Sequence, residues 1–175
     1  TGYTGVLPSA VTGGAGLDRR AGASCRIYLS VAKNNESGAI HLADVAMVQS
    51  YNDDTTLYTP QLTATKSGIK ILVSATYLFT WSIGSYDSSS GGGYEQQFLS
   101  EVSSSNTAIV DSYTVIGNDS MFSGSSANWN KSAHAHVLSI TANQIINMYT
   151  NRSEGTRDIS AGTDGTFIVA TYLHD

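Results

Sequence analysis

A chain of 175 residues and 18.5 kDa is the length of one domain, able to bury roughly two-thirds of the surface its unfolded form exposes. Charged residues make up only 13%, the formal charge is -5, and the nine lysines and arginines are scattered, so there is no basic stripe to neutralise a row of phosphates and nucleic acid is excluded as a partner. No apolar run approaches the ~20 residues of a membrane-spanning helix, so no membrane insertion is expected, and a single cysteine, Cys25, rules out an internal disulfide and a Cys-based zinc site.

Residues 1–23 are rich in glycine and read as a leader or linker from a stalk. Gly2 and Gly5 have collagen-like spacing, but Pro8 breaks the register at the next step. The first ten residues lack the basic-then-apolar layout of a signal peptide. The head domain is expected over 24–175. There, runs rich in Val, Ile, Thr and Tyr alternate with clusters of Gly, Ser, Asn and Asp, which predicts an all-β antiparallel sandwich of about ten short strands.

In chain order the predicted strands are 25–31, 40–48, 61–65, 69–73, 76–83, 94–102, 108–116, 133–140, 145–149 and 166–173. The segment Leu42 to Ser50 tolerates helix or strand and is read as strand. In the 76–83 run, Tyr77, Phe79 and Trp81 share one face against Leu78, Thr80 and Ser82. In the last run Phe167, Val169, Thr171 and Leu173 oppose Ile168, Ala170 and Tyr172. Both of its faces are thus largely apolar, and the outward one calls for cover by a sister subunit.

Three segments together resemble a known family. Ser67-Gly68-Ile69-Lys70-Ile71-Leu72-Val73-Ser74-Ala75-Thr76-Tyr77-Leu78-Phe79 is similar to the central signature of complement globular heads and tumour-necrosis-factor-like proteins. Val137 to Ile146 resembles that family's strand, short turn and second strand, and Gly165 to Leu173 its closing strand. One departure is Ala75, where the family usually has Gly, which leaves the turn before Tyr77 open. The resemblance implies a jelly roll that assembles as a homotrimer. Related heads cap bacteriophage tail needles and viral fibres, and the low charge, the lack of disulfides and the leader favour that branch. The expectation is therefore a non-enzymatic receptor-binding knob, a viral protein at the distal tip of a fibre on the virion surface, which adheres to a glycan or protein of the host. The alternatives are a secreted, extracellular complement-like module and a small jelly-roll capsid protein; a carbohydrate-active enzyme comes behind them.

The search for chemistry yields little. His134 and His136, two apart, share a strand face, but zinc needs three or four ligands. Asp53 and Asp54, with Asp158 and Asp164, offer oxygens to calcium without the spacing of its twelve-residue loop. No metal and no cofactor are expected. There is no Gly-x-Ser-x-Gly elbow, and Glu95 and Glu101, six apart on one strand, stand roughly 20 Å apart, too far for a glycosidase pair. What remains is recognition by loops 51–59, 84–94, 117–131 and 151–165, with Tyr86, Tyr94, Trp129 and Asn130 as the candidate ligand-binding residues.

Overall fold

The computed structural model describes residues 20–63, 66–87, 94–102, 108–115, 129–153 and 155–175. Over these the chain forms thirteen strands: β1 Ser24–Leu29, β2 Lys33–Glu36, β3 Ala39–His41, β4 Met47–Asn52, β5 Tyr58–Gln61, β6 Gly68–Ile71, β7 Ala75–Asp87, β8 Tyr94–Glu101, β9 Ala108–Val115, β10 Trp129–Ile140, β11 Ile145–Arg152, β12 Arg157–Ile159 and β13 Phe167–His174. Every pairing is antiparallel. The first sheet runs β2-β12-β7-β13-β1-β4, with β10 on the opposite edge of β7; the second runs β5-β6-β11-β8-β9, with β3 on β11. Two antiparallel sheets with these crossovers make the expected jelly-roll sandwich.

The core follows from alternation. Along β7, Tyr77, Phe79, Trp81 and Ile83 all point inward and none has any exposed surface. They meet Ile168, Ala170 and Tyr172 of β13, Cys25, Ile27 and Leu29 of β1, and, from the second sheet, Ile69, Ile71, Leu99, Ile146 and Met148. Each large side chain so buried is worth about 1.5–3 kcal/mol of transfer free energy. The phenols carry their polar ends to partners at the margin: Tyr58 donates to the Ala23 carbonyl (2.8 Å), Tyr77 to that of Val73 (2.8 Å), and Tyr172 to the Asp175 carboxylate (2.9 Å). Gly68 has φ +156°, and a Cβ there would stand 2.7 Å from the Ile146 carbonyl oxygen, so only glycine lets β6 close on β11.

One end of the sandwich is polar inside. Glu95 on β8 is fully buried and accepts hydrogen bonds from Ser85 Oγ (2.8 Å), Thr150 Oγ1 (2.8 Å) and Gln97 Nε2 (3.2 Å). Arg157 on β12, equally buried, brings Nε to 3.7 Å from Glu95 Oε2 and donates through Nη2 to the Gly38 carbonyl at 3.0 Å. Burial lowers the Arg157 pKa and the Glu95 charge works against that shift. The network ties β7 and β12 of one sheet to β8 and β11 of the other.

The structure corrects several expected boundaries. Thirteen strands replace about ten, because β2, β3 as a separate piece, and β12 are short and carry no long apolar alternation. Leu42–Asp44 is a 3-10 turn with Leu42 and Ala43 buried, and strand resumes only at Met47. Ala75 opens β7 without a positive φ, so the turn before Tyr77 does not require glycine. All four expected loops hold some strand: β4 runs to Asn52 and β5 begins at Tyr58, β7 runs to Asp87, β10 begins at Trp129, and β12 lies within 151–165. Most of the 1–23 leader, the 88–93 turn and residues 117–128 lie outside the described residues. From Arg20 onward the chain is tied to the head, since Gly22 N donates to the Tyr172 carbonyl (2.9 Å) and Arg20 Nη2 to the Tyr172 hydroxyl (3.1 Å).

Replacing Glu95 by alanine strands a buried guanidinium, and the expected loss in urea-unfolding free energy is about 3–5 kcal/mol; Glu95→Gln, which keeps the hydroxyl bonds, costs less. Cys25 is fully buried, and that burial, with the Asp53 charge behind it, pushes its thiol up to about 12. Iodoacetamide at pH 8 should therefore leave the native chain unalkylated by mass and modify it once urea unfolds it.

Candidate functional site

The outward side of the first sheet is the broadest side-chain surface that the strand registers assemble. Three rows cross it. Ala133, Ser82, Phe167, Tyr28 and Val48 form one; Ala135, Thr80, Val169, Arg26 and Tyr51 the next; Val137, Leu78, Thr171 and Ser24 the third. The side chains alternate with the inward core set, so β13 reads half-buried and buried by turns, as does β1. Val137 is 59% exposed, and Val48 and Tyr51 are 37% exposed each.

The rows carry a single charge. Arg26 lies flat over the Phe167 ring, 4.2 Å from its centroid, and donates through Nη2 to the Thr163 carbonyl, which holds the guanidinium down on the sheet. The closing strand thus presents two unlike faces, one sealed by Ile168, Ala170 and Tyr172 and one half-open through Phe167, Val169, Thr171 and Leu173. Sequence reasoning found the β13 part of this surface. It missed Tyr28, Val48 and Tyr51, although the alternation of Cys25, Ile27 and Leu29 with Arg26 and Tyr28 in β1 was a usable signal.

The four candidate binding residues gather at one end of the sandwich, where β7 leads over to β8. Trp129 pairs with Tyr86 and Asn130 with Ser85 in the first sheet, while Tyr94 opens β8 opposite Val115 in the second. Trp129 and Asn130 belong to a strand, not to the expected loop. Tyr86 also faces Asp158 across β12, on the other side of β7.

His134 and His136 share a face as their spacing requires, and that face is the inner one. Both rings pack on the indole of Trp81, at centroid distances of 5.2 and 5.3 Å. His134 Nε2 also lies 3.3 Å from Gln97 Oε1. Since Gln97 Nε2 donates to Glu95 and to the Ile83 carbonyl, its oxygen is the acceptor and His134 Nε2–H the donor. Burial, and after it the His136 ring, holds His134 below the ordinary imidazole value.

Three of the four acidic candidates accept hydrogen bonds within the fold. Asp53 Oδ2 accepts from Ser24 N (3.1 Å) and Ser24 Oγ (3.0 Å), binding the end of β4 to the start of β1. Asp54 Oδ1 accepts from Thr56 N (2.8 Å) and Oγ1 (2.6 Å), which keeps its carboxyl below the usual range. Asp158 Oδ1 accepts from Asn35 N at 2.8 Å. Among the described residues no group of three His, Cys, Asp or Glu side chains is placed to hold a metal.

No family model and no curated protein matches the chain. Solved structures do match in fold. Murine APRIL at pH 8.5 superposes with a TM-score of 0.59 at 12% identity, over 86% of this chain and 98% of APRIL. Murine APRIL at pH 5.0 gives 0.60 at 14%, over 86% and 99%. The Eiger TNF of S. frugiperda gives 0.58 at 16%, over 89% of this chain and 95% of Eiger. The fold is thus a TNF-like jelly roll, as the resemblance implied. The same matches correct the viral reading. They pair the chain with TNF-type proteins of mouse and S. frugiperda where a tail-fibre knob on a virion was expected.

With Asp53 Oδ2 already committed to Ser24 and Asp54 Oδ1 to Thr56, and no third ligand grouped with them among the described residues, millimolar calcium and a chelator should leave the thermal midpoint the same. Scanning calorimetry of the two samples checks this, and a calcium-dependent rise would contradict it.

Proposed function

We propose that the chain is the binding head of an extracellular TNF- and complement-like ligand, which trimerises through the outer face of its first sheet and engages a partner protein without catalysis. The observation that supports it is the run of three near-neutral rows across β10, β7, β13, β1 and β4, where a lone chain leaves Val137, Val48 and Tyr51 in water. Such a patch, poor in charge and rich in aromatic and β-branched side chains with one arginine, has the composition of an interface core. A TNF-like fold supplies the frame for it.

Residues 24–175 form the head in this reading, and 1–23 lead into it. Partner recognition falls to the end of the sandwich that carries Tyr86, Tyr94, Trp129 and Asn130, whose rings and amide suit adaptable contacts with a protein surface. That end lies away from the middle of the three rows, so assembly leaves it open. Three copies on one axis act together, so a modest affinity per copy suffices for tight engagement.

Val137→Glu places a charge in the proposed contact without disturbing the core, because Val137 is already exposed in the isolated fold. Light scattering should give a mass near three chains for the wild type and near one for the variant, with the variant's circular dichroism unchanged. A wild-type mass of one chain at high concentration sinks the trimer.

A further inference from the structure

We propose that His134, packed beside His136 on Trp81, makes β10 an acid-sensitive edge strand, so that its protonation loosens β10 from the sandwich and weakens self-association through the outer face of the same strand. This rests on the trimer reading above for its second half only.

Twelve residues of β10 pair with β7 along one edge, and among the described residues β7 is its only ladder partner. The strand is therefore held on one side by hydrogen bonds and below by what its inner side chains touch. Among its described side chains those inner contacts are the two imidazoles, followed by Leu138 and Ile140. Both imidazoles lie within stacking range of one fully buried indole, Trp81, at interplanar angles of 33° and 30°. As neutral rings they pack against the core indole. As imidazolium ions they are two like charges, two residues apart, in a half-buried position against an apolar ring.

Among the described residues, the elements packed against the pair bring it little counter-charge. From β7 they face Trp81 and Phe79, the residues paired with them. From β8 the nearest carboxylate is Glu95, reached only through Gln97 and already engaged by Arg157, Ser85 and Thr150. On β9 the ionisable residues are Asp111 and Tyr113, paired with Phe98 and Gln96, whereas Ser112 and Thr114 stand opposite Gln97 and Glu95. On β10 itself the other ionisable residue is Lys131, paired with Gly84. The indole face attracts one imidazolium; it does not relieve the repulsion of a second.

His134 sets the sign. Its folded-state value lies below the ordinary 6.5, so the unfolded chain binds the proton more readily. The stabilisation is complete above that unfolded value and is lost as pH falls through it toward the folded one. The outer side chains interleaved with the two histidines, Ala133, Ala135 and Val137, belong to the proposed subunit contact, so any loosening of β10 reaches the interface directly.

The test compares the full chain with its His134→Gln/His136→Gln variant at pH 7.5 and 5.0 in fixed salt, by light-scattering mass and thermal midpoint. On acidification the wild-type midpoint should drop by about 3 °C or more in excess of the drop seen for the double substitution. The wild-type mass should fall from three chains toward one, while that of the doubly substituted chain holds. Equal acid shifts in the two proteins overturn the proposal, as does a wild-type mass that stays at three chains on dilution at pH 5.0. A wild-type monomer at pH 7.5 removes the trimer instead, and the melting comparison then decides the β10 device alone. Should the double variant fail to fold, His134→Gln by itself gives the same comparison.

Discussion

The constraint on which the rest of the structure depends is that β7 is paired along both edges. Its 13 residues take β10 along one side and both β13 and β12 on the other. A strand so placed cannot slip its register without turning Tyr77, Phe79, Trp81 and Ile83 out of the core all at once. The candidate surfaces are all hung from that strand. Its outward residues Leu78, Thr80 and Ser82 centre the three rows, its indole carries the two histidines, and its far end sets Tyr86 beside Trp129.

A polar cluster at one end gives the sandwich a direction. Over most of its length the two sheets meet through aliphatic and aromatic side chains, but around Glu95 they meet through a carboxylate, two hydroxyls, an amide and a guanidinium. Such a cluster adds little net stability over an apolar filling, since both ions are desolvated. Its effect is on pairing: β12 is only three residues long, and Arg157 fixes it by reaching Glu95 and the Gly38 carbonyl. Without those anchors nothing in the local sequence would hold Arg157–Ile159 as strand. The same end holds the candidate recognition residues, so a rigid polar foundation lies beneath them.

How much of this was legible in the sequence depends on whether the information is local. The alternation of Tyr77, Phe79 and Trp81 announced a half-buried strand, and Phe167 to Leu173 announced one with two apolar faces; both are properties of consecutive residues. The i, i+2 spacing of His134 and His136 correctly placed them on one face. Which face was not readable, because β10 is apolar on neither side by sequence: Ala133, Ala135 and Ser139 are as neutral as the histidines are amphipathic. Only pairing with β7 makes the histidine side the inner one. For the same reason Lys33–Glu36 gave no strand signal, since its pairing with β12 is enforced from across the chain. Glu95 was set aside as half of a glycosidase pair, but its buried role was not legible: its partners Ser85, Thr150 and Arg157 lie 10, 55 and 62 positions away and share no motif with it.

The viral reading failed for a related reason. It leaned on low charge, absent disulfides and a glycine-rich leader, which are properties of composition, whereas the matched animal structures share the fold at 12–16% identity. Composition constrains the solvent-facing half of a sandwich, and it drifts freely there. Strand order is constrained by the core, where a ladder such as Tyr77, Phe79 and Trp81 must find Tyr172 and Ile168 across β13. A surface resemblance and a core resemblance that disagree should therefore be decided by the core. Here the core is that of a TNF-like sandwich, and the three central rows on the outer face of its first sheet, with Arg26 their single charge, are what the proposed self-association rests on.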